Sequence, residues 1–121
     1  MPCDEALLYR VEQVLKILNP RKKEVAYGSC FMIGRHLLCA VTEKYLITRI
    51  NPDKKEECLK IDGVEDFVYR NRSSEFWIKV SKEKLLYDNE LLQWLDVSVE
   101  YGKYVKSDNY RKDFRTHRTI K

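Results

Sequence analysis

Apolar residues near the N-terminus recur at the 3.6-residue spacing of an amphipathic helix, at Leu7, Val11, Val14, Leu15 and Leu18. The pattern predicts a helix over Asp4 to Leu18, with Asp4 as its N-cap. Asn19-Pro20 ends the predicted helix, because a proline forces the residue before it out of the helical conformation. The basic run that follows, Arg21 to Lys23, is predicted to form a solvated turn.

From Val25 to Ile50 the chain is rich in β-branched, aromatic and aliphatic residues, which predicts three antiparallel strands. The breaks at Gly34-Arg35 and Glu43-Lys44 are predicted to be tight turns. Gly34 can adopt the positive φ that a two-residue type II′ hairpin needs at its first loop position. The register set by that turn places Cys30 opposite Cys39. Both faces of this hairpin are apolar, so we expect it to lie in the centre of the sheet, covered on both sides.

The second half of the chain continues the mixed pattern. Shorter strands are predicted over Cys58 to Ile61, Asp66 to Arg70 and Glu75 to Val80, followed by a last strand over Val97 to Tyr101. Asn71 to Ser74 is predicted to be a hairpin loop. Ser81 is the predicted N-cap of a second helix, Lys82 to Leu95, with a break expected at Asp88-Asn89. The sequence therefore predicts an α+β fold, in which an antiparallel sheet of about five to seven strands is packed by an N-terminal helix and a second helix near residues 82–95.

A length of 121 residues is typical of a single domain. We expect residues 1–101 to form that domain and residues 102–121 to be a flexible tail, because aliphatic residues become rare beyond Gly102. The chain has no apolar run of the roughly 20 residues that a membrane helix needs, and its first residues do not resemble a secretory signal. We therefore expect a cytoplasmic, intracellular protein.

Charge is distributed unevenly along the chain. Residues 1–100 carry 16 basic and 17 acidic residues, a net charge of −1, whereas residues 101–121 carry 7 basic and 2 acidic residues, a net charge of +5. Aromatic rings alternate with these cations, and such a mixture can neutralise phosphates while stacking on unpaired bases. The predicted nucleic-acid-binding residues of the tail are Lys103, Tyr104, Lys106, Tyr110, Arg111, Lys112, Phe114, Arg115 and Arg118. Arg70 and Arg72, near Tyr69 and Trp77, are predicted to extend this surface.

These features favour a non-enzymatic module that binds single-stranded DNA or RNA through its tail. A tail that keeps the protein soluble, or that docks on an acidic protein, is the alternative reading of the same residues. A second alternative is a protein-interaction or inhibitor module, for example a viral or accessory factor or a homo-oligomer assembled through its sheet edges.

The four cysteines are too far apart in sequence to match a zinc motif, and we expect neither a metal nor a cofactor. The predicted register would allow a disulfide between Cys30 and Cys39. The alternative is two reduced thiols that act as small hydrophobes. The composition, rich in Lys and Glu and poor in Gln, is typical of thermophile proteins, among which intracellular disulfides occur.

An enzyme is the third functional alternative. Asp53, Asp66, Glu75 and Lys79 are residue types found in metal-dependent nucleases, but the separation of Glu75 from Lys79 does not match the usual two-residue spacing. The two histidines, His36 and His117, are not part of a recognisable catalytic arrangement. The sequence therefore predicts no catalytic residues.

Overall fold

The computed structural model describes the backbone of residues 3–108 and the side chains of residues 3–101. In this part of the chain six strands form a single antiparallel sheet, flanked by three α-helices. The strands are β1 (Arg21–Val25), β2 (Gly28–Ile33), β3 (His36–Val41), β4 (Tyr45–Arg49), β5 (Val64–Tyr69) and β6 (Arg72–Ser81). The helices are α1 (Glu5–Leu15), α2 (Lys55–Leu59) and α3 (Asp88–Asp108), and 3-10 turns occupy Lys16–Leu18, Pro52–Lys54 and Lys82–Lys84. The strands are ordered β1-β2-β3-β4-β6-β5 across the sheet, which confirms the predicted α+β class.

Helix α1 follows its sequence signals closely. The Asp4 carboxylate accepts a hydrogen bond of 2.8 Å from the Leu7 N–H and so caps the first turn. The 3-10 turn after α1 ends at Asn19, whose φ of 52° is left-handed, and Pro20 follows. The predicted start, cap and end of this helical segment are confirmed.

The solvated turn predicted at Arg21 to Lys23 is wrong, because these residues begin strand β1. This strand lies at one edge of the sheet and four of its five residues are exposed. Charged side chains are common on edge strands, where they discourage pairing with other chains. The Lys22 ammonium lies 3.2 Å from the Glu12 carboxylate of α1, which ties this edge to the helical layer. A strand of this kind has no alternating apolar pattern to reveal it.

The β2–β3 hairpin has the predicted turn but not the predicted register. Gly34 has a φ of 60°, and Ile33 pairs with His36 as expected. A β-bulge then inserts Leu38 as an extra residue in β3, so Cys30 pairs with Ala40 and Cys39 pairs with Phe31.

Consequently, the predicted juxtaposition of Cys30 with Cys39 is wrong. Cys39 is buried in the core beneath the helices, whereas Cys30 belongs to a separate apolar cluster formed by sheet residues, and both thiols are free. The hydroxyl of Ser98, on α3, donates a hydrogen bond to the carbonyl of Leu38 at the bulge. The extra residue is thus held in place by a buried polar contact.

Three further expectations are corrected between residue 55 and the C-terminus. Helix α2 covers part of the strand predicted at Cys58 to Ile61. The helix predicted over Lys82 to Leu95, with a break expected at Asp88-Asn89, starts instead as a 3-10 turn capped by Ser81, and the α-helix α3 begins only at Asp88. Helix α3 also continues through Val97 to Tyr101, where a strand was predicted.

The sheet separates two apolar clusters. The larger cluster packs α1 and α3 against one face of the sheet, and its fully buried members include Val11, Phe31, Leu46, Ile78 and Leu95. The smaller one lies on the opposite face around Cys30, Ala40 and Ile47, and only sheet residues contribute to it among the residues described. No helix in the described region has the length and apolar character needed to span a membrane.

Candidate functional site

The face of the sheet that α1 and α3 leave uncovered is here called the open face. Tyr27, in the β1–β2 turn, and Tyr69, on the far edge strand β5, come together on this side, with ring centroids 6.3 Å apart. Residues from opposite edges of a six-stranded sheet can meet only if the sheet curls strongly, as the right-handed twist of strands favours. The curl encloses Cys30 and Ile47, which are each only 4% exposed, beneath a rim of aromatic side chains.

Cations are stacked on the aromatic rings of the open face. The Arg49 guanidinium carbon lies 4.5 Å from the centre of the Trp77 ring, and Arg70 lies 5.3 Å from the centre of the Tyr69 ring. The Lys79 ammonium lies 4.4 Å from the centre of the Tyr45 ring. Each contact contributes about 0.5–1 kcal/mol where it is exposed to water. The same face therefore presents both positive charge and aromatic surface.

The β5–β6 hairpin carries the most accessible part of this arrangement. Its two-residue turn, Arg70-Asn71, has φ values of 55° and 64°, as in a type I′ turn. Arginine is an unusual choice for the first position, because a β-carbon is strained at positive φ. The turn projects Arg70 beside Tyr69, whose side chain is 50% exposed and whose ring is nearly parallel to that of Phe67, with centroids 6.3 Å apart.

A depression next to the hairpin is here called the hairpin pocket. It is open to solvent and has a volume of about 770 Å³, large enough for a nucleobase. The residues that line it are Phe67, Tyr69, Arg72, Ser73, Ser74, Glu75, Phe76 and Trp77. It exists because the β5–β6 pairing is interrupted: Asp66 pairs with Ile78, but Val68 pairs with Ser73, so several residues of β6 bow outward.

A polar network fastens the bowed segment to α2. The Lys55 ammonium donates to the Asp66 carboxylate at 2.6 Å, to the Ser74 carbonyl at 2.6 Å and to the Ser73 hydroxyl at 3.2 Å. Ser73 in turn donates to Asp66 at 2.8 Å. Burial alone would raise the pKa of Asp66, but the hydrogen bonds from Lys55 and Ser73 outweigh it, so the net shift is downward. This network positions the wall of the hairpin pocket.

The network also bears on the enzyme alternative. Asp66, one of the four residues considered for a nuclease, is committed to Lys55, and Lys79 lies 3.7 Å from the Glu65 carboxylate. Lys55 and Ser73 are in contact, and the Lys55 ammonium also donates to the Asp66 carboxylate. Among the described residues, no group of three or more His, Cys, Asp or Glu side chains is placed to hold a metal ion.

Arg49 is a component of the open face that the sequence did not reveal. Its Nε–H donates to the Leu37 carbonyl at 2.8 Å, and its guanidinium is partly buried against Trp77. Burial lowers the pKa of Arg49 to about 10. In the described part of the chain no carboxylate lies within 4 Å of it. Only the strand pairing of Arg49 with Trp77 brings the two together, and that pairing depends on the tertiary fold.

The sequence-predicted site residues fall into three groups. Arg70 lies in the turn of the β5–β6 hairpin and Arg72 at the start of β6, so the hairpin loop predicted over Asn71 to Ser74 is wrong. Lys103, Tyr104 and Lys106 fall within the last turns of α3, but their side chains lie outside the described residues. The remaining predicted residues, Tyr110, Arg111, Lys112, Phe114, Arg115 and Arg118, lie outside the described part of the chain altogether.

The chain matches no protein-family model, no curated protein and no solved structure. The function is therefore inferred from the chemistry of the open face and from the charge of the C-terminal segment.

Proposed function

We propose that this protein is a non-enzymatic module that binds single-stranded nucleic acid on the open face of its sheet, with the basic C-terminal segment adding electrostatic attraction. The observation that carries the proposal is the combination of cations and aromatic rings around the hairpin pocket, with Arg70 over the Tyr69 ring and both Arg72 and Trp77 in the pocket lining. Unpaired bases stack on such rings for about 1–3 kcal/mol each, while arginine neutralises the adjoining phosphates.

The shape of the open face favours single strands over duplexes. In a duplex the bases are stacked on one another, so the rings of Phe67, Tyr69 and Trp77 would have no base faces to contact. A single strand can turn a base into the hairpin pocket and leave its phosphates near Arg70 and Arg72. The C-terminal segment, residues 109–121, has a net charge of +4 and is proposed to follow the strand as it leaves the pocket.

Fluorescence anisotropy with labelled oligonucleotides tests the proposal. We expect a ten-nucleotide single strand to bind more tightly than a duplex of the same length, with an affinity that falls as salt increases. The double variant Y69A/R70A should weaken binding to the single strand at least tenfold, because it removes one ring and one cation. The matched control K16A/K60A removes two exposed cations that lie outside the open face, and its effect should be no more than about threefold.

Deletion of residues 109–121 separates the two parts of the proposed interface. We expect the shortened chain to bind with a smaller salt dependence and to keep its preference for single strands, because the rings remain. If neither single nor double strands bind the full-length chain at low salt, the proposed function is wrong. If the deletion alone abolishes binding and Y69A/R70A has no effect, the C-terminal segment is the interface and the open face is not.

A protein-interaction module is the second candidate function, and one observation favours it. Ile17, in the 3-10 turn after α1, is 91% exposed and lies beside a groove between that turn and α3. The neighbouring Leu18 is 38% exposed and lines the same groove, and contiguous apolar patches on a surface mark contact sites between proteins. Light scattering coupled to size-exclusion chromatography would detect a homo-oligomer, and Ile17→Asp should convert it to a monomer if this groove is the contact. A monomeric wild-type chain at high concentration would remove the homo-oligomer from consideration.

A further inference from the structure

Arg49 is the partly buried cation of the open face for which the described residues offer no counter-ion. Removing a guanidinium from water without a paired anion costs stability, and proteins usually compensate for it with a carboxylate or a ligand. The side-chain contacts of Arg49 are the Leu37 carbonyl and the face of Trp77, and its backbone contacts the hydroxyls of Ser98 and Thr48. None of these supplies a negative charge.

The contacts of Arg49 determine which of its donors remain available. Nε is committed to the Leu37 carbonyl, and the guanidinium carbon lies over the Trp77 ring. The two terminal nitrogens, Nη1 and Nη2, have no hydrogen-bond acceptor among the described residues. These nitrogens form the end-on fork with which arginine binds two oxygens of a phosphate. Stacking on Trp77 and bonding to Leu37 hold the fork in one orientation, so little conformational entropy is lost when an anion binds.

Trp77 connects this fork to the hairpin pocket. It lies beneath Arg49 and also lines the pocket, together with Arg72. A strand that places a base in the pocket would lie against Trp77, over whose ring the Arg49 guanidinium carbon is placed. Of the nearby carboxylates, Glu65 is paired with Lys79 and Asp66 with Lys55, whereas the exposed Glu75, which lines the hairpin pocket, has no ion-pair partner among the described residues.

We infer that Arg49 is the specific phosphate-binding residue of the open face, and that its end-on fork receives one backbone phosphate of the strand whose base occupies the hairpin pocket. The inference rests on the proposed function, since it assigns the chemistry of that same interface. A general basic surface attracts phosphates without fixing their positions, whereas a single oriented, partly buried guanidinium binds one phosphate at a defined place. Exposed cations such as Arg35 attract the strand only through long-range electrostatics, because their side chains are not held in one orientation.

The test compares three variants by anisotropy with the ten-nucleotide single strand, at several salt concentrations. Arg49→Gln removes the charge and the fork, so Kd should rise about tenfold, and the slope of log Kd against log salt should decrease by about 0.7, the value for one phosphate on a single strand. Arg49→Lys keeps the charge but loses the fork, so Kd should still rise at least threefold. Arg35→Gln, an equal loss of charge at the exposed β2–β3 turn, should change Kd less than twofold.

A spectroscopic readout separates binding from support of the fold. In a Trp94→Phe background Trp77 is the remaining tryptophan, so its emission reports directly on the Arg49 site. We expect the oligonucleotide to change this emission, and inorganic phosphate at millimolar concentration to change it in the same direction. Thermal unfolding of each variant identifies any that do not fold. If Arg49→Gln is unfolded, the affinity of Arg49→Lys and the response of the Arg49 side-chain NMR signals to the oligonucleotide test whether Arg49 binds a phosphate.

The outcomes distinguish the inference from the proposed function. If wild-type binding is retained and Arg49→Gln, folded, binds as tightly and with the same salt slope, the assignment of Arg49 is wrong while the open face stands. If Arg49→Lys binds like the wild type, only a point charge is needed and the oriented fork is refuted. If the wild-type chain binds no oligonucleotide, the proposed function fails first, and the phosphate response of Trp77 alone then decides whether Arg49 holds an anion.

Discussion

Replacing Lys55 with methionine should loosen the hairpin pocket without disturbing the core. The Lys55 side chain is 13% exposed, and its ammonium has three acceptors: the Asp66 carboxylate, the Ser74 carbonyl and the Ser73 hydroxyl. Methionine can fill the same volume but donates no hydrogen bond, so it leaves these acceptors without their donor. Ser73 still donates to Asp66, which limits the damage.

The size of the effect follows from burial. Losing a hydrogen bond to a charged group typically costs about 1.5–3 kcal/mol, and breaking a fully buried ion pair costs about 3–5 kcal/mol. Asp66 is 36% exposed, so water replaces part of what it loses and the fully buried value does not apply. We expect Lys55→Met to lower the free energy of unfolding by about 2 kcal/mol, which corresponds to a decrease in Tm of about 8 °C for a domain of this length.

Urea denaturation measures the effect on the stability of the whole domain, and amide hydrogen exchange measures it strand by strand. The neighbouring Lys54→Met is a matched control, because the Lys54 side chain is 60% exposed and its 3.8 Å pairing with Glu57 is worth at most about 0.5 kcal/mol. Exchange should accelerate in β5 and the first half of β6 and remain unchanged in β2 and β3. If Lys55→Met and Lys54→Met have equal stability, the network does not hold the pocket wall.

Three further predictions concern the turn, the bulge and the N-terminal cap. Arg70→Asn should stabilise the protein by about 1 kcal/mol in urea denaturation, because asparagine tolerates positive φ. The same substitution should weaken binding to the single strand, and an unchanged affinity would mean that Arg70 has no part in the interface. Ser98→Ala should cost about 1–2 kcal/mol, because the Leu38 carbonyl at the bulge then lacks a buried donor, and a loss below 0.3 kcal/mol would contradict that account. The hydrogen bonds from Lys82 and from the first turn of α1 lower the pKa of Asp4 in the folded protein. The ionised Asp4 carboxylate therefore stabilises the fold fully above the unfolded pKa of about 3.9, and this stabilisation is lost as the pH falls through the lower folded pKa. Asp4→Asn keeps a capping residue but removes the charge, so its stability should fall less than that of the wild type between pH 5 and pH 2, and an identical fall would refute the assignment.

The sequence predicted the parts of the fold that depend on local signals. Helix α1 has an apolar stripe, a capping aspartate and a terminating proline, and all three act within a few residues. The Gly34 turn and the Ser81 cap are local in the same sense, and both are confirmed. Where the signal is spread over the fold, prediction was weaker. Strand β1 is polar because it lies at an edge, and nothing within the strand itself indicates that position.

The remaining differences have a common cause in tertiary packing. The bulge at Leu38 shifts the pairing of the β2 residues from Phe31 to Ser29 with β3. Ser98, which lies 60 residues away in the chain, stabilises this bulge. Val97 and Val99 alternate with polar residues as in a strand, yet Val97, Ser98 and Val99 lie in α3, and the fully buried Ser98 contacts β3 from that helix. A period of two and a period of 3.6 are hard to separate over five residues.

In the candidate site, too, the residues with local sequence signals were predicted and those that depend on tertiary packing were not. Arg70 and Arg72 were identified from their aromatic neighbours in sequence, and the structure brings them to one hairpin. Arg49 and Lys55 were missed because each acts through residues that are distant in the chain: Trp77 for Arg49, and Asp66 with Ser73 for Lys55. A partly buried cation without an acidic neighbour is a property of the folded chain and has no sequence signature.

Chemical-shift mapping by NMR tests the central proposal most directly. A ten-nucleotide single strand is added to the ¹⁵N-labelled full-length chain, and the amide signals of the sheet and of the helical layer are compared. The proposal predicts that the perturbed amides cluster at Tyr27, Phe67, Tyr69 and Trp77, with α1 unaffected. Perturbations confined to α1 and its groove with α3, or the absence of any perturbation at low salt, would contradict it.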